Sequence, residues 1–177
     1  MAAFTVIDHT ELSGTTTSWS KASIPATYDH LLLVASVRGA GAGTSTAVNT
    51  NLGNGSVDTG ANYSSTYLMA ASATPLSGRF TSDTEIFGAY APEASVTADT
   101  FATIKIWVPN YANTANFKQV LLSCAMENAS TGTATWRRIQ SAGLWQSTSA
   151  VTDLQLSEPA SGFVQYSTFT LYGVTGA

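Results

Sequence analysis

The stretch Phe101-Ala-Thr-Ile-Lys-Ile-Trp-Val-Pro-Asn-Tyr111, followed after a polar break by Phe117-Lys-Gln-Val-Leu-Leu-Ser-Cys-Ala-Met126, decides the fold class. Ile104, Ile106 and Val108 recur at every second position of the first segment. Val120, Leu122, Cys124 and Met126 do the same in the second. A period of two places one side-chain set on one face of an extended chain, which is the pattern of a half-buried strand. The intervening Pro109-Asn-Tyr-Ala-Asn-Thr-Ala-Asn116 carries the residues of a turn. Trp107 is out of phase with its apolar neighbours and is expected on the opposite face.

Working outward, similar segments recur along the chain. Residues 3–12 alternate weakly and read as a first strand or an extended arm, with Phe4, Val6 and Ile7 as its apolar contact residues. Trp19 to Ile24 is a short strand ended by Pro25. Tyr28-Asp-His-Leu-Leu-Leu-Val-Ala-Ser-Val-Arg38 is the clearest early strand; its apolar run predicts burial on both faces, or one face under a neighbouring subunit. Residues 39–60, rich in Gly, Asn and Thr, read as a long loop with one short strand near Ala47 to Leu52. Tyr63 to Met69 is a strand or short helix, and Gly78-Arg-Phe leads into a strand over Glu85 to Tyr90. Thr133 to Ser147 reads as a strand bent at Gly143. Val151 to Leu156 and Phe163 to Val174 complete the set.

Roughly eight to ten strands at turn-marked intervals, with no amphipathic helix, predict an all-β, jelly-roll-like sandwich of antiparallel strands. Residues 1–13 form an N-terminal arm or edge strand and residues 14–177 a single domain. No repeat of 20–50 residues points to a propeller or solenoid.

Composition bounds the function. Charged residues make up only 10% of the 177, whereas Ser and Thr fill about a quarter and Ala about a seventh. Such a surface has few long side chains to immobilise, which suits flat contact with a neighbour. The net charge is −4. Seven scattered Lys and Arg make no basic stripe, so no nucleic-acid partner is expected. No run approaches the length of a membrane span, and the start lacks the pattern of a signal peptide, so no membrane partner is expected. The single cysteine, Cys124, alternates with Leu122 and Met126 and reads as a small buried hydrophobe.

No residue set carries recognisable chemistry. Asp8-His9 and Asp29-His30 are chain neighbours, which point to opposite faces of a strand and cannot form a dyad by adjacency. Two histidines and one distant cysteine make no zinc signature. Glu85, Glu93 and Asp99 are the carboxylates that could pair for glycoside hydrolysis. Loop carboxylates are mostly just solvated, so no catalytic residue, metal or cofactor is expected. Trp107 and Tyr111 remain as candidates for surface contact or for stacking on a sugar ring.

The order of several short motifs carries a resemblance. Tyr28-Asp-His-Leu-Leu-Leu is followed by Ser36-Val-Arg38, Asn62-Tyr-Ser, Pro109-Asn-Tyr111, Lys118 and a closing Phe169-Thr-Leu-Tyr-Gly-Val174. Together they resemble the jelly-roll virion proteins of tailed bacteriophages, over roughly residues 28–174. The resemblance implies a structural, non-enzymatic protein, either a capsid decoration (cement) protein or a module of a tail or fibre. A decoration protein of this kind sits as a homotrimer on the major capsid protein of its phage. It is made in the host cytoplasm and used on the capsid exterior. Only some twenty-five residues precede the first strong strand, whereas a tail fibre needs a longer attachment region, so the capsid is the expected location. The tail reading implies a glycan-binding receptor module instead.

Overall fold

A computed structural model describes residues 3–71, 75–128 and 136–176. Among them are twelve strands and no helix: β1 (Ala3–Glu11), β2 (Ser18–Lys21), β3 (His30–Val37), β4 (Ser45–Gly53), β5 (Tyr63–Ala70), β6 (Leu76–Asp83), β7 (Ile86–Pro92), β8 (Ala102–Pro109), β9 (Lys118–Met126), β10 (Arg137–Trp145), β11 (Asp153–Ser157) and β12 (Thr168–Thr175). They form two antiparallel sheets, ordered β1-β12-β3-β8-β9-β10-β5-β6 and β2-β11-β4-β7. The chain is an all-β sandwich.

The orders β1-β12-β3-β8 and β2-β11-β4-β7 are the double Greek key of a jelly roll. Two hairpins are inserted into it, β5–β6 between β4 and β7, and β9–β10 between β8 and β11. Both join the same sheet and widen it from four strands to eight. Twelve strands therefore stand where roughly eight to ten were expected; among them β6 is the one to which the sequence assigned no strand.

The opening segments behave as their period requires. In β8, Ala102, Ile104, Ile106 and Val108 point into the sandwich; in β9, Val120, Leu122, Cys124 and Met126 do. Leu31, Leu33, Ala35 and Val37 of β3 join them in the core. Trp19 of β2 stacks on Phe169 of β12 at 5.3 Å, tying the two sheets at one end.

The segment read as a long loop with one short strand near Ala47 to Leu52 holds a longer strand, β4, of nine residues. β4 contains Asn49, Thr50 and Asn51, all buried: Thr50, opposite Leu156 and Ile86, faces the core, while Asn49 and Asn51 lie on the outer side, where loop residues fold over the strand. Asn51 Nδ2 donates to Asp58 O (3.1 Å) and Thr84 O (2.7 Å), so the polar side chains serve as loop anchors. Gly143 does not bend β10. The strand is continuous through Arg137–Trp145, and a Cβ at Gly143 would lie 2.5 Å from Ile86 Cγ2 of the facing sheet. The glycine thus sets how closely the sheets approach. Residues 133–135 of the expected strand lie outside the described residues.

β7, the last strand of the small sheet, packs over β9 and β10. Beyond it β5 and β6 overhang, which leaves Leu76 and Phe80 exposed on the inner side. Residues 3–11 are not a free arm: β1 pairs with β12 from Ala3↔Thr175 to Glu11↔Thr168, with a bulge between Val6 and Asp8.

Candidate functional site

Among the described residues, no second layer packs over the outer face of the eight-stranded sheet. Residues directly opposite one another across antiparallel strands share a face, so the register defines rows. One row runs Val6–Tyr172–Leu32–Trp107–Leu121–Ala142 from β1 across to β10. Six consecutive apolar side chains face outward along it, although a sheet with one solvated face normally presents polar residues there. Leu121 is 60% exposed and Leu68, on β5, 65%. The apolar run of β3 has the same explanation in space: Leu31 and Leu33 fill the core, while Leu32 and Val34 lie half-buried on this outer face.

Small residues beside large ones make the face uneven. Leu32, Trp107 and Leu121, with Lys105, Ser123 and Gln140, line a hollow of about 330 Å³. A second hollow of about 270 Å³ lies on the other side of Leu121, lined by Thr66, Leu68, Gln140 and Ala142. Leu121 is therefore a ridge between two depressions. Arg138 lies flat on the same face, its Nη1 donating to Ser123 Oγ (2.7 Å) and Cys124 O (3.0 Å). With its amide nitrogen turned to Leu122 O (3.0 Å), Gln140 accepts from Arg138 Nη2 (2.8 Å).

Trp107 faces outward, as its phase predicts, and its ring meets His30 at 4.9 Å. Tyr111 does not. It is fully buried. Its hydroxyl donates to Pro25 O and accepts from Tyr28 N–H at 3.4 Å. Burial pushes its phenol up from the usual range. The turn after Pro109, with Asn110 at φ 48°, carries the chain off the sheet and swings Tyr111 inward. It offers no surface for a sugar. Of the N-terminal residues, Phe4 and Val6 are exposed on the outer face, and Phe4 meets Tyr172 edge-on at 6.2 Å. Ile7 packs against the core instead.

The expected carboxylates do not converge. Glu85 and Glu93 flank opposite ends of β7, eight residues apart, or roughly 26 Å of extended chain. Carboxylates cooperating on a glycosidic bond stand only about 5–9.5 Å apart. Burial, with Asp83 nearby, holds the Glu85 carboxyl above the usual range. Asp99 is an exposed loop residue. The sequence reading missed a different pair: Ser161 Oγ lies 3.1 Å from Glu158 Oε2 and 3.5 Å from Glu93 Oε1. Glu158 is fully buried and accepts from Thr46 Oγ1 (2.5 Å), Ser161 N–H (2.8 Å) and Gly162 N–H. Burial raises its carboxyl, but these donors outweigh that and hold it below the usual range. A carboxylate so enclosed pins a turn and has no free lone pair for a substrate.

Several other ionisable groups hold contacts within the fold. His9 and Asp8 point to different partners, Thr170 Oγ1 (2.8 Å) and Lys21 Nζ (3.2 Å). His30 Nδ1 accepts from Asn110 N–H at 3.1 Å. Cys124 is buried, and burial pushes its thiol up. Lys118 is only 2% exposed and donates to Asn116 O (2.8 Å) and Thr148 O (3.1 Å); burial holds its amine below the usual range. Among the described residues, no three His, Cys, Asp or Glu side chains come together to hold a metal ion. Nor, among the described residues, is any helix long and apolar enough to cross a membrane.

Comparison of the sequence with protein-family models finds no match, and comparison with curated proteins finds none either.

Proposed function

We propose that this protein is a structural component of a bacteriophage virion, a decoration protein that binds the outside of the capsid as a homotrimer. The observation that carries the reading is the uncovered apolar row Val6–Tyr172–Leu32–Trp107–Leu121–Ala142 on a broad, low-charge sheet face. The jelly-roll order and the motif resemblance support it. Apolar surface of this extent costs free energy in water, and contiguous patches mark contact sites. The protein performs no catalysis in this reading. It binds the assembled shell in preference to separate subunits, and so stabilises the shell by mass action.

An image reconstruction of purified particles, with copy number from quantitative gel densitometry, tests this. Hundreds of copies in three-fold clusters on the shell are expected; a handful confined to the tail would overturn it. Trp107 favours one rival reading. Its outward ring beside Lys105, Ser123 and Gln140 gives an aromatic wall with hydrogen-bonding neighbours, the composition of a sugar-binding hollow. A tail receptor-binding module would bind a glycan array and lose that binding in Trp107→Ala.

A further inference from the structure

The charges on the outer face of the large sheet are one-sided. Outward-facing positions of β8, β9, β10, β5 and β6 include Lys105, Arg138 and Arg79 and no Asp or Glu. Three of the seven cations thus share half of one face, in a chain of net charge −4. Among the described residues a single ion pair forms, Lys21 with Asp8, so none of the three is neutralised by a carboxylate. They flank the apolar centre at one end and along one side: Arg79 on β6 ends the row of Trp107, Leu121 and Ala142, while Lys105 on β8 and Arg138 on β10 lie in the two rows beside it, with Leu68. Among the described residues, acids approach this face only at its margins: Glu11 at the far corner on β1, and Glu127 just past the end of β9.

We propose that this face docks on a flat protein surface that is apolar at its centre and acidic at its rim. Charge complementarity identifies the occupant. A second copy set face to face would oppose like charges, which disfavours the pairing. Nucleic acid would need cations tracking a phosphate backbone, and here an exposed leucine ridge stands between them. The size also fits. Eight strands at about 4.8 Å by three rows at about 7 Å give roughly 800 Å², the ~800 Å² that one partner contributes to a stable complex. Leu121 and Trp107 supply the desolvated centre, and the three cations steer encounter and fix orientation. The inference rests on the virion reading for the partner's identity, a shell protein, but not for its chemistry.

A random copolymer of Glu and Tyr, an acidic polypeptide with apolar side chains, serves as the probe. The wild-type chain should bind it, with affinity falling steeply as NaCl rises. Binding should drop at least tenfold in a Lys105→Glu, Arg138→Glu, Arg79→Glu triple variant and in Leu121→Asp. Lys105→Arg should retain it. Near-UV circular dichroism and the melting midpoint establish that each variant is folded. Absence of wild-type binding, or unchanged binding by the triple variant, would overturn the proposal. So would equal or tighter binding to duplex DNA, or a wild-type oligomer in sedimentation equilibrium that Leu121→Asp dissociates. The two readings fail separately. If the folded triple variant still occupies particles at the wild-type copy number, the assigned face is wrong while decoration stands. If the wild-type chain is absent from shells yet binds the copolymer, decoration fails and the acidic-partner surface stands.

Discussion

Tyr111 and Trp107 are four residues apart, yet one is enclosed and the other faces solvent. The phase of β8 makes Trp107 legible, because its neighbours at 106 and 108 must both enter the core. Tyr111 lies past the strand end, where alternation no longer applies. Tyr111→Phe should cost about 1–3 kcal/mol in urea unfolding, because it strips a buried hydroxyl from Pro25 O and Tyr28 N–H. Glu158 is another residue whose role only its surroundings reveal. Its folded pKa is depressed, so its contribution is present above the ordinary value of 4.5 and is lost as pH falls through the folded value. Glu158→Gln should be less stable by about 2–3 kcal/mol at pH 7. Its deficit relative to wild type should shrink as pH is lowered below 4.5, as thermal melts at several pH values would show. Glu85, with its raised pKa, acts in the opposite sense, so the comparison must be the difference between the two proteins.

At the scale of elements, strands with one buried apolar face were readable and polar ones less so. β3, β8, β9 and β12 announce themselves by period. β4 is legible only as a short strand near Ala47 to Leu52, because loops cover its outer side and Asn49 and Asn51 take positions that hydrophobes would fill on a two-sided strand. β6 is hidden because it overhangs the small sheet and is exposed along most of its length, so no alternation is imposed on it. Gly143 invites a bend from sequence, but the facing Ile86 explains it. Gly143→Val should destabilise by about 1–3 kcal/mol, measured by chemical denaturation, because the added carbons overlap Ile86. β1 behaves as an edge strand already paired to β12, so deleting residues 2–12 would damage the fold along with any contact. Phe4→Ser with Val6→Ser is the cleaner test. Both side chains are exposed, so the melting midpoint should barely move, while shell occupancy falls.

For the whole molecule, topology makes the ends of the chain central. β12 lies between β1 and β3, so the last strand completes a sheet begun by the first. A chain ending at Ser167 should not fold: far-UV circular dichroism should show loss of β structure, and no cooperative melting transition should remain. Pairings this distant in sequence also carry a large loop-closure cost, so refolding should be slow, on the order of milliseconds to seconds, by stopped-flow tryptophan fluorescence.

Side-chain alternation is a local property, and from it alone follow the all-β class, the sandwich, the core residues of β3, β8 and β9, and the outward direction of Trp107. Low charge, with few long side chains to immobilise, is likewise a property of the sequence, and it suits flat contact with a neighbour. Which surface matters is a tertiary fact. Register across six strands aligns Val6, Tyr172, Leu32, Trp107, Leu121 and Ala142 into one row, and it brings Lys105, Arg138 and Arg79 onto one face from distant points of the chain. Alternation tells which side of its own strand a residue occupies, but only strand pairing tells which residues share a neighbourhood.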